Sequence, residues 1–249
     1  MFKFSKIVSA VALAVAGVAA NAGVVIDDFS FDQATASTNV VGGSDATSAG
    51  SDSSILGGYR DLAVTKTAGG GSVSMGVADD VLSYASSSGQ AGAAQGTGLV
   101  RWDGANTLAG VDADGLDDAS GDVGVELNIG AVSFLIDVIT ADQTFDLTFS
   151  VWTDKNLDDM ITDGEVDSFT TTIMDNFVGQ KYVSFSNFGT ANFSRVGALQ
   201  LMIDGTGSAG SLDFTVDIIQ AVPEPGSLAL AGLALAGLGM ARRRKATAK

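Results

Sequence analysis

Cysteine and histidine are both absent from the 249-residue chain, and proline occurs only twice. Without cysteine the protein cannot form a disulfide, so its packing or bound ions must hold the fold together. The same absences exclude Ser-His-Asp and Cys-His catalysis, and they exclude zinc sites built from imidazole or thiolate ligands. Several large classes of enzyme and metalloprotein are therefore ruled out by composition alone.

Basic residues are scarce between the two ends of the chain. Residues 23–221 contain 6 basic and 28 acidic residues, which gives this segment a net charge of −22. Such a charge opposes binding to nucleic acid, because Lys and Arg are needed to neutralise phosphate, and it opposes binding to an anionic membrane surface. The same charge favours binding of divalent cations, because carboxylate oxygens are their ligands. We expect no nucleic-acid partner.

The first 22 residues have the pattern of a secretory signal peptide. MFKFSK carries Lys3 and Lys6, an apolar stretch follows, and Ala20-Asn21-Ala22 is a small-x-small cleavage site. The alternative is a buried N-terminal helix, for which the basic flank and the cleavage site would be coincidences. We predict that signal peptidase removes residues 1–22 and that the mature protein is exported.

Both prolines lie near the other end, at Pro223 and Pro225, on either side of Glu224. Proline fixes φ and restricts the residue before it, so residues 221–225 should be extended and stiff. An apolar run follows over residues 227–241, which is short against the roughly 20 residues of an ordinary membrane-spanning helix. By the positive-inside rule, the basic cluster after this run would stay on the cytoplasmic side: Arg242, Arg243, Arg244 and Lys245.

This arrangement resembles the PEP-CTERM sorting signal of Gram-negative bacteria. The resemblance covers residues 222–249: the motif Val222-Pro223-Glu224-Pro225, then the short apolar span, then the arginine cluster. It implies transient insertion in the inner membrane and processing by an exosortase at or near the PEP motif. It also implies release or transfer to the cell surface, usually in organisms that make an extracellular polysaccharide. The alternative is a plain C-terminal anchor, which would need a longer span.

Residues 23–221 show the period of β-strands. Apolar and polar residues alternate over 145–152, 212–218 and 132–138, while Gly-, Ser- and Asp-rich segments at 42–58 and 86–98 are typical of flexible loops. We predict an all-β fold, an antiparallel β-sandwich of jelly-roll type, flanked by the signal helix and a short C-terminal hydrophobic helix. Further strands are predicted at Val24–Asp27, Arg60–Thr67, Ser72–Val77, Leu99–Trp102, Phe169–Ile173, Tyr182–Phe185 and Leu199–Ile203.

Short segments of this body also resemble other PEP-CTERM ectodomains. They include VIDDFS after the signal peptide, LGGYRDLAV, VRWDG and the closing strand SLDFTVDII. These are motifs of strands and turns. They support the sandwich and carry over no catalytic residue.

One acidic segment, DKNLDDMITDGE at residues 154–165, resembles the twelve-residue calcium loop of EF-hands. Oxygen ligands at alternating positions wrap a hard cation, and a distal Glu closes the shell. Asp159 replaces the usual turn glycine, and the flanking segments are strand-like rather than helical. Two interpretations stay open, a Ca²⁺-binding loop between two strands and an ordinary acidic hairpin loop. The predicted ligands are Asp154, Asn156, Asp158, Met160 through its backbone carbonyl, Thr162 and Glu165.

A second acidic stretch, residues 112–122, contains Asp112-x-Asp114-Gly but no carboxylate at the closing distance, which favours a solvated loop and leaves a cation site as the alternative. Three aromatic residues are candidates for a platform on which a sugar ring could stack: Trp102, Trp152 and Tyr59. Packing inside the sandwich is the alternative for each tryptophan.

Three functions remain compatible with the sequence. The first is a non-catalytic surface or extracellular-matrix protein associated with exopolysaccharide. The second is a carbohydrate-binding module with a defined sugar site. The third is a polysaccharide-active enzyme with paired carboxylates, for which no nucleophile motif, phosphate loop or cofactor fingerprint is found. We expect a protein that is not an enzyme.

Overall fold

The computed structural model describes residues 23–106, 108, 110–117 and 123–223. The predicted signal helix, the predicted C-terminal helix and the basic cluster Arg242–Lys245 lie outside these residues. Within them, the helical elements are two short 3₁₀ turns, at Leu56–Gly58 and Phe185–Asn187. No helix in this part of the chain is long and apolar enough to cross a membrane.

Fifteen strands are found in the described residues, and every pair of neighbours is antiparallel. Their bounds are β1 Val24–Asp27, β2 Gln33–Thr38, β3 Ser44–Ser48, β4 Asp61–Ala68, β5 Val73–Ala78, β6 Val81–Ser86, β7 Ser88–Gly89, β8 Gly92–Ala93, β9 Gln95–Trp102, β10 Ser133–Ala141, β11 Phe145–Thr153, β12 Val166–Ile173, β13 Gly179–Ser184, β14 Val196–Asp204 and β15 Asp213–Val222.

Two large sheets form the body. The seven-stranded sheet has the order β13-β10-β15-β6-β5-β2, with β1 also paired to β15, and the six-stranded sheet has the order β12-β11-β14-β9-β4-β3. The strands β7 and β8 form a separate two-stranded hairpin. This architecture confirms the predicted all-β, antiparallel sandwich, while the finer jelly-roll assignment stays a prediction.

Aromatic rings fill the space between the two sheets. Phe134 of β10 stacks on Phe149 of β11, with ring centroids 4.6 Å apart, and Phe145 of β11 meets Phe214 of β15 edge to face at 4.8 Å. All four residues are at most 4% exposed. Each pair joins one sheet to the other, because β10 and β15 belong to the seven-stranded sheet and β11 to the six-stranded sheet. Offset and edge-to-face pairs of this kind add about 0.5–1.5 kcal/mol beyond the area they bury.

A bulge in β15 changes which residues face the core. Opposite β10, Ile218 pairs with Asp137 but Val216 pairs with Val138, so β15 contains one extra residue. The simple alternation predicted Ile218 on the core face. The extra residue instead shifts the phase, so that Ile219 is fully buried and Ile218 is only half-buried.

Two segments that were predicted as flexible loops contain strands. Residues 42–58 include β3, and residues 86–98 include the β7–β8 hairpin and the first residues of β9. Strands β2 and β6 were also absent from the predicted set. Strand β3 and the β7–β8 hairpin consist of small and polar residues with weak hydrophobic alternation, and they form by pairing with a neighbour. Strand β6 was missed although it alternates, and it buries Leu82 and Tyr84 in the core.

Candidate functional site

Strand β15 leads directly into the sorting motif. Its last residues pair on both sides, Val222 with Ser133 of β10 and Ala221 with Val24 of β1. The amide of Val132 donates to the carbonyl oxygen of Val222 at 2.9 Å. Of the predicted motif, Val222 and Pro223 lie within the described residues, whereas Glu224 and Pro225 lie outside them.

The acidic loop 154–165 is arranged around a buried carboxylate. Asp154 is fully buried, and its Oδ2 atom lies 2.6 Å from Nη1 of Arg195. The same Nη1 atom lies 2.5 Å from Oδ1 of Asp159. Burial alone would raise the pKa of Asp154, but the hydrogen bonds from Arg195 and from the Leu157 amide outweigh it and lower that pKa. A positive charge of the protein itself therefore offsets part of the negative charge of the loop.

The distal carboxylate of the loop is also engaged. Glu165 accepts hydrogen bonds from the backbone amides of Lys155 and Thr162, at 3.1 and 3.0 Å. These amide donors lower the pKa of Glu165. Glu165 thus joins the two ends of the loop through backbone amides. Its predicted role as a ligand that closes the shell of a cation stays a prediction.

The remaining predicted ligands lie on the outer side of this loop. Asn156 donates to Asp158 at 3.1 Å, and the amide of Met160 donates to the other carboxylate oxygen of Asp158. Thr162 donates its hydroxyl to Glu165. Over residues 23–106, 108, 110–117 and 123–223, no three acidic side chains are grouped so that they could hold a metal ion. Calcium binding by this loop stays a prediction.

A cavity of about 390 Å³ lies beside Arg195. Its polar lining comes from Glu126, Ser194 and Arg195, and its walls are completed by Leu116 and residues 123–125. The amide of Val125 bonds to the carbonyl of Val196, which fixes the 123–126 segment to the start of β14. The arginine that holds the acidic loop therefore also lines the cavity.

The two tryptophans do not offer a ring face to a ligand. Trp102 is fully buried, and Trp152 is 8% exposed in a small apolar cluster with Ala113, Ile161 and Ala198. Their burial agrees with packing inside the sandwich, the alternative given above, and removes Trp102 and Trp152 as candidates for a sugar platform. The third candidate, Tyr59, is partly exposed at the residue before Arg60.

Trp102 belongs instead to a buried polar network. Nη1 of Arg60 lies 2.8 and 2.9 Å from the two carboxylate oxygens of Asp27, and Nε1 of Trp102 donates to Asp27 at 2.8 Å. The other nitrogens of Arg60 donate to Gln33 and to the carbonyl of Phe31. Asp27 and Arg60 are both fully buried. Burial raises the pKa of Asp27, and its partners oppose that shift.

This network was missed at the level of single residues, but the sequence contained a signal for it. Asp27 lies in VIDDFS, Arg60 in LGGYRDLAV and Trp102 in VRWDG. These are three of the segments that resemble other PEP-CTERM ectodomains. The structure brings these three segments together at one buried point.

In the second acidic stretch, the amide of Asp112 donates to Oδ2 of Asp103 at 3.0 Å. A hydrogen bond with Asp114 raises the pKa of Asp112. The stretch is thus tied to the end of β9, while its residues 118–122 lie outside the described part.

Comparison with known proteins identifies one part of the chain. Residues 221–245 match the family model of the PEP-CTERM protein-sorting motif. The chain is therefore an exported protein with a C-terminal membrane-anchoring sorting signal, of the class that exosortases process. No curated protein matches the chain.

Among solved structures, the chain is similar to carbohydrate-binding modules. One of them is CtCBM11, from a study of its solution structure, dynamics and binding. The TM-score is 0.41 at 12% sequence identity, and the alignment covers 83% of this chain and 98% of CtCBM11. The family 11 module of the cellulase Lic26A-Cel5E of Clostridium thermocellum has a TM-score of 0.36 and 13% identity, covering 82% and 96%. At TM-scores this low, the likenesses support no conclusion about this chain.

Proposed function

We propose that this chain is a non-catalytic surface or extracellular-matrix protein that is processed by an exosortase and associates with extracellular polysaccharide. The sorting motif at residues 221–245 is the observation that carries the proposal. It follows the last strand of the sandwich without a spacer, so the folded body is the cargo that the signal delivers.

The proposal is tested by following the chain in its native host with an epitope tag in the β2–β3 loop. We expect a shortened protein outside the inner membrane and a Pro223→Ala/Pro225→Ala variant that stays in the membrane at full mass. Val40→Ser, in the exposed tagged loop, is the control and should be processed normally. Full-length wild-type protein in the cytosol would contradict the proposal.

Association with polysaccharide needs a separate experiment. The purified mature protein should sediment with extracellular polysaccharide prepared from the host, weakly and in proportion to the amount of polymer. Sedimentation that is the same with and without polymer would remove this part of the proposal.

A second candidate is a carbohydrate-binding module with a defined site in the cavity beside Arg195. The observation in its favour is the cavity volume of about 390 Å³ with Glu126, Ser194 and Arg195 in its wall. Small-molecule sites usually measure about 300–1,000 Å³ and place a few polar groups at fixed positions.

A glycan array separates the two candidates. A defined site predicts saturable binding to one class of sugar, with a loss of about tenfold or more on Glu126→Gln, since one hydrogen bond to a charged group is worth about 1.5–3 kcal/mol. Ser44→Ala, on the edge strand β3, is the control and should bind normally. Weak retention on many sugars would instead favour the matrix protein.

We also propose that loop 154–165 binds Ca²⁺, with a cost imposed by Arg195. The guanidinium already contacts Asp154 and Asp159, so the cation must displace it. Arg195→Gln should then increase the calcium affinity measured by isothermal titration, whereas Lys181→Gln, which removes an equal charge elsewhere, should leave it unchanged. No heat of binding, together with a melting temperature that is insensitive to chelator, would exclude the site.

A further inference from the structure

The C-terminal half of β15 is bonded along both of its edges. On one side Phe214 to Val222 pair with β10, and on the other side Ile219 to Ala221 pair with β1. The last bond of this ladder is the one from the Val132 amide to the Val222 carbonyl. The hydrogen-bonded fold therefore continues up to the residue before Pro223.

A protease usually binds its substrate as an extended strand, through the backbone N–H and C=O groups of that strand. In β15 these groups are already used by β10 and β1. The strand also provides core side chains, since Phe214, Val216, Ile219 and Ala221 are all fully buried. Cleavage within β15 would therefore require extraction of a central strand, which amounts to unfolding the seven-stranded sheet.

The signal-peptide junction lies at the same end of the sandwich. Val24 pairs with Ala221, and a Cβ on Gly23 would lie only 2.0 Å from the Ala221 carbonyl oxygen. Both processing junctions therefore leave the body side by side, on adjacent strands. At this end of the sandwich β15 continues into the sorting motif.

We propose that exosortase processing cuts the chain only on the C-terminal side of Val222, so that the released protein keeps β15 whole. This inference rests on the proposed function, because it assumes that the sorting signal is processed. In the hydrolysis, the oxygen of water joins the new carboxylate of the body and a proton goes to the new amine of the tail. If an acceptor amine replaces water, the body ends in an amide with that acceptor.

The intact mass and the C-terminal peptide of the protein released by the native host test the inference. The last residue should be Val222 or a later residue. A C-terminus at Ala221 or earlier would overturn the inference and leave the proposed function in place. A chain that keeps its full tail would instead overturn the proposed function.

A second experiment does not depend on the host enzyme. Limited digestion of the purified precursor with a broad-specificity protease should remove the C-terminal tail and stop before it reaches Val222, so that Val222 stays in the product. Val132→Pro removes the amide that bonds to Val222 and should let trimming continue into β15, whereas Val132→Ala keeps the donor and should not. Circular dichroism confirms that each variant is folded. Trimming of the folded wild-type protein past Val222 would contradict the inference.

Discussion

Asp27 and Arg60 hold opposite charges in direct contact inside a sandwich that has no disulfide. Each charge loses its hydration on burial, and their mutual attraction recovers that loss only where hydrogen bonds satisfy the remaining groups. Here Trp102, Gln33 and the Phe31 carbonyl supply those bonds. The network therefore depends on every partner. Removal of one charged partner should lower the free energy of unfolding by more than the ion pair itself contributes to it.

Arg60→Met should destabilise the body by about 3–5 kcal/mol, because Asp27 then remains as an unpaired buried charge. The double variant Asp27→Leu/Arg60→Met should recover much of that loss, because no uncompensated charge remains. Urea unfolding followed by circular dichroism measures both. Lys181→Met on the exposed edge strand is the control and should change the free energy of unfolding by less than about 0.5 kcal/mol. Equal destabilisation by the single and double variants would show that packing, not charge, dominates.

Asp154 predicts a pH dependence whose sign follows from its lowered pKa. A carboxyl whose pKa is lower in the folded state stabilises the fold above its ordinary pKa, and this contribution is lost as the pH falls through the folded value. Arg195→Gln should therefore reduce the free energy of unfolding at pH 7 and have little effect at pH values below the folded pKa, where Asp154 is neutral. A penalty that is the same at pH 7 and in strong acid would contradict the ion pair between Arg195 and Asp154.

At the scale of elements, loop 154–165 acts as a cover for one end of the six-stranded sheet. Ile161 points into the cluster with Trp152 and Ala198, whereas the neighbouring Met160 is 62% exposed. Gly197 permits this close approach, since a Cβ there would lie 2.1 Å from the Ala113 carbonyl oxygen and 2.6 Å from Ile161. The loop is thus packed through one apolar side chain and tied down by Arg195.

Ile161→Ser should loosen this cover and expose Trp152 to solvent. The chain has two tryptophans, and Trp102 is fully buried, so a rise in acrylamide quenching reports on Trp152. Met160→Ser, one residue earlier, is the matched control and should leave quenching unchanged. If both variants quench like the wild type, the loop does not protect Trp152.

The elements that could be predicted from the sequence are those with long hydrophobic alternation. The alternate apolar residues of 145–151 and of 134–138 are buried in the core as predicted, because one apolar side chain in two is enough to fix a strand in a sandwich. Val132, predicted on the same face, instead precedes β10 and is 38% exposed. Strand β3 could not be predicted, because SDATS has no alternation and forms its strand against β4. The bulge in β15 could not be predicted either, because the extra residue is defined only by the pairing of β15 with β10.

The candidate site was predictable only in part. The pattern of residues 154–165 located the acidic loop correctly between β11 and β12, but it contained no information about Arg195, which lies 30 residues beyond Glu165. Likewise, the burial of Trp102 depends on Asp27, a partner 75 residues away. Contacts between residues so distant in sequence are set by the sheet order.

At the scale of the whole molecule, 28 acidic residues repel one another across residues 23–221, where only six basic residues balance them. Screening by salt weakens that repulsion in the compact state more than in the unfolded chain. The melting temperature of the mature protein should therefore rise as sodium chloride increases from about 10 to 500 mM. Calcium chloride at the same ionic strength separates screening from specific binding, and a melting temperature that falls with salt would contradict the prediction.

Strand β15 is the last strand of the body and lies in the middle of its sheet, between β10 on one side and β6 and β1 on the other. Strand β1, which is synthesised first, therefore cannot pair until β15, which is synthesised last, is available. Until then the seven-stranded sheet has a gap at its centre, and the chain can be threaded across the inner membrane without having to be pulled apart. Translocation and folding are thereby kept in sequence: the fold closes only when almost the entire polypeptide has passed.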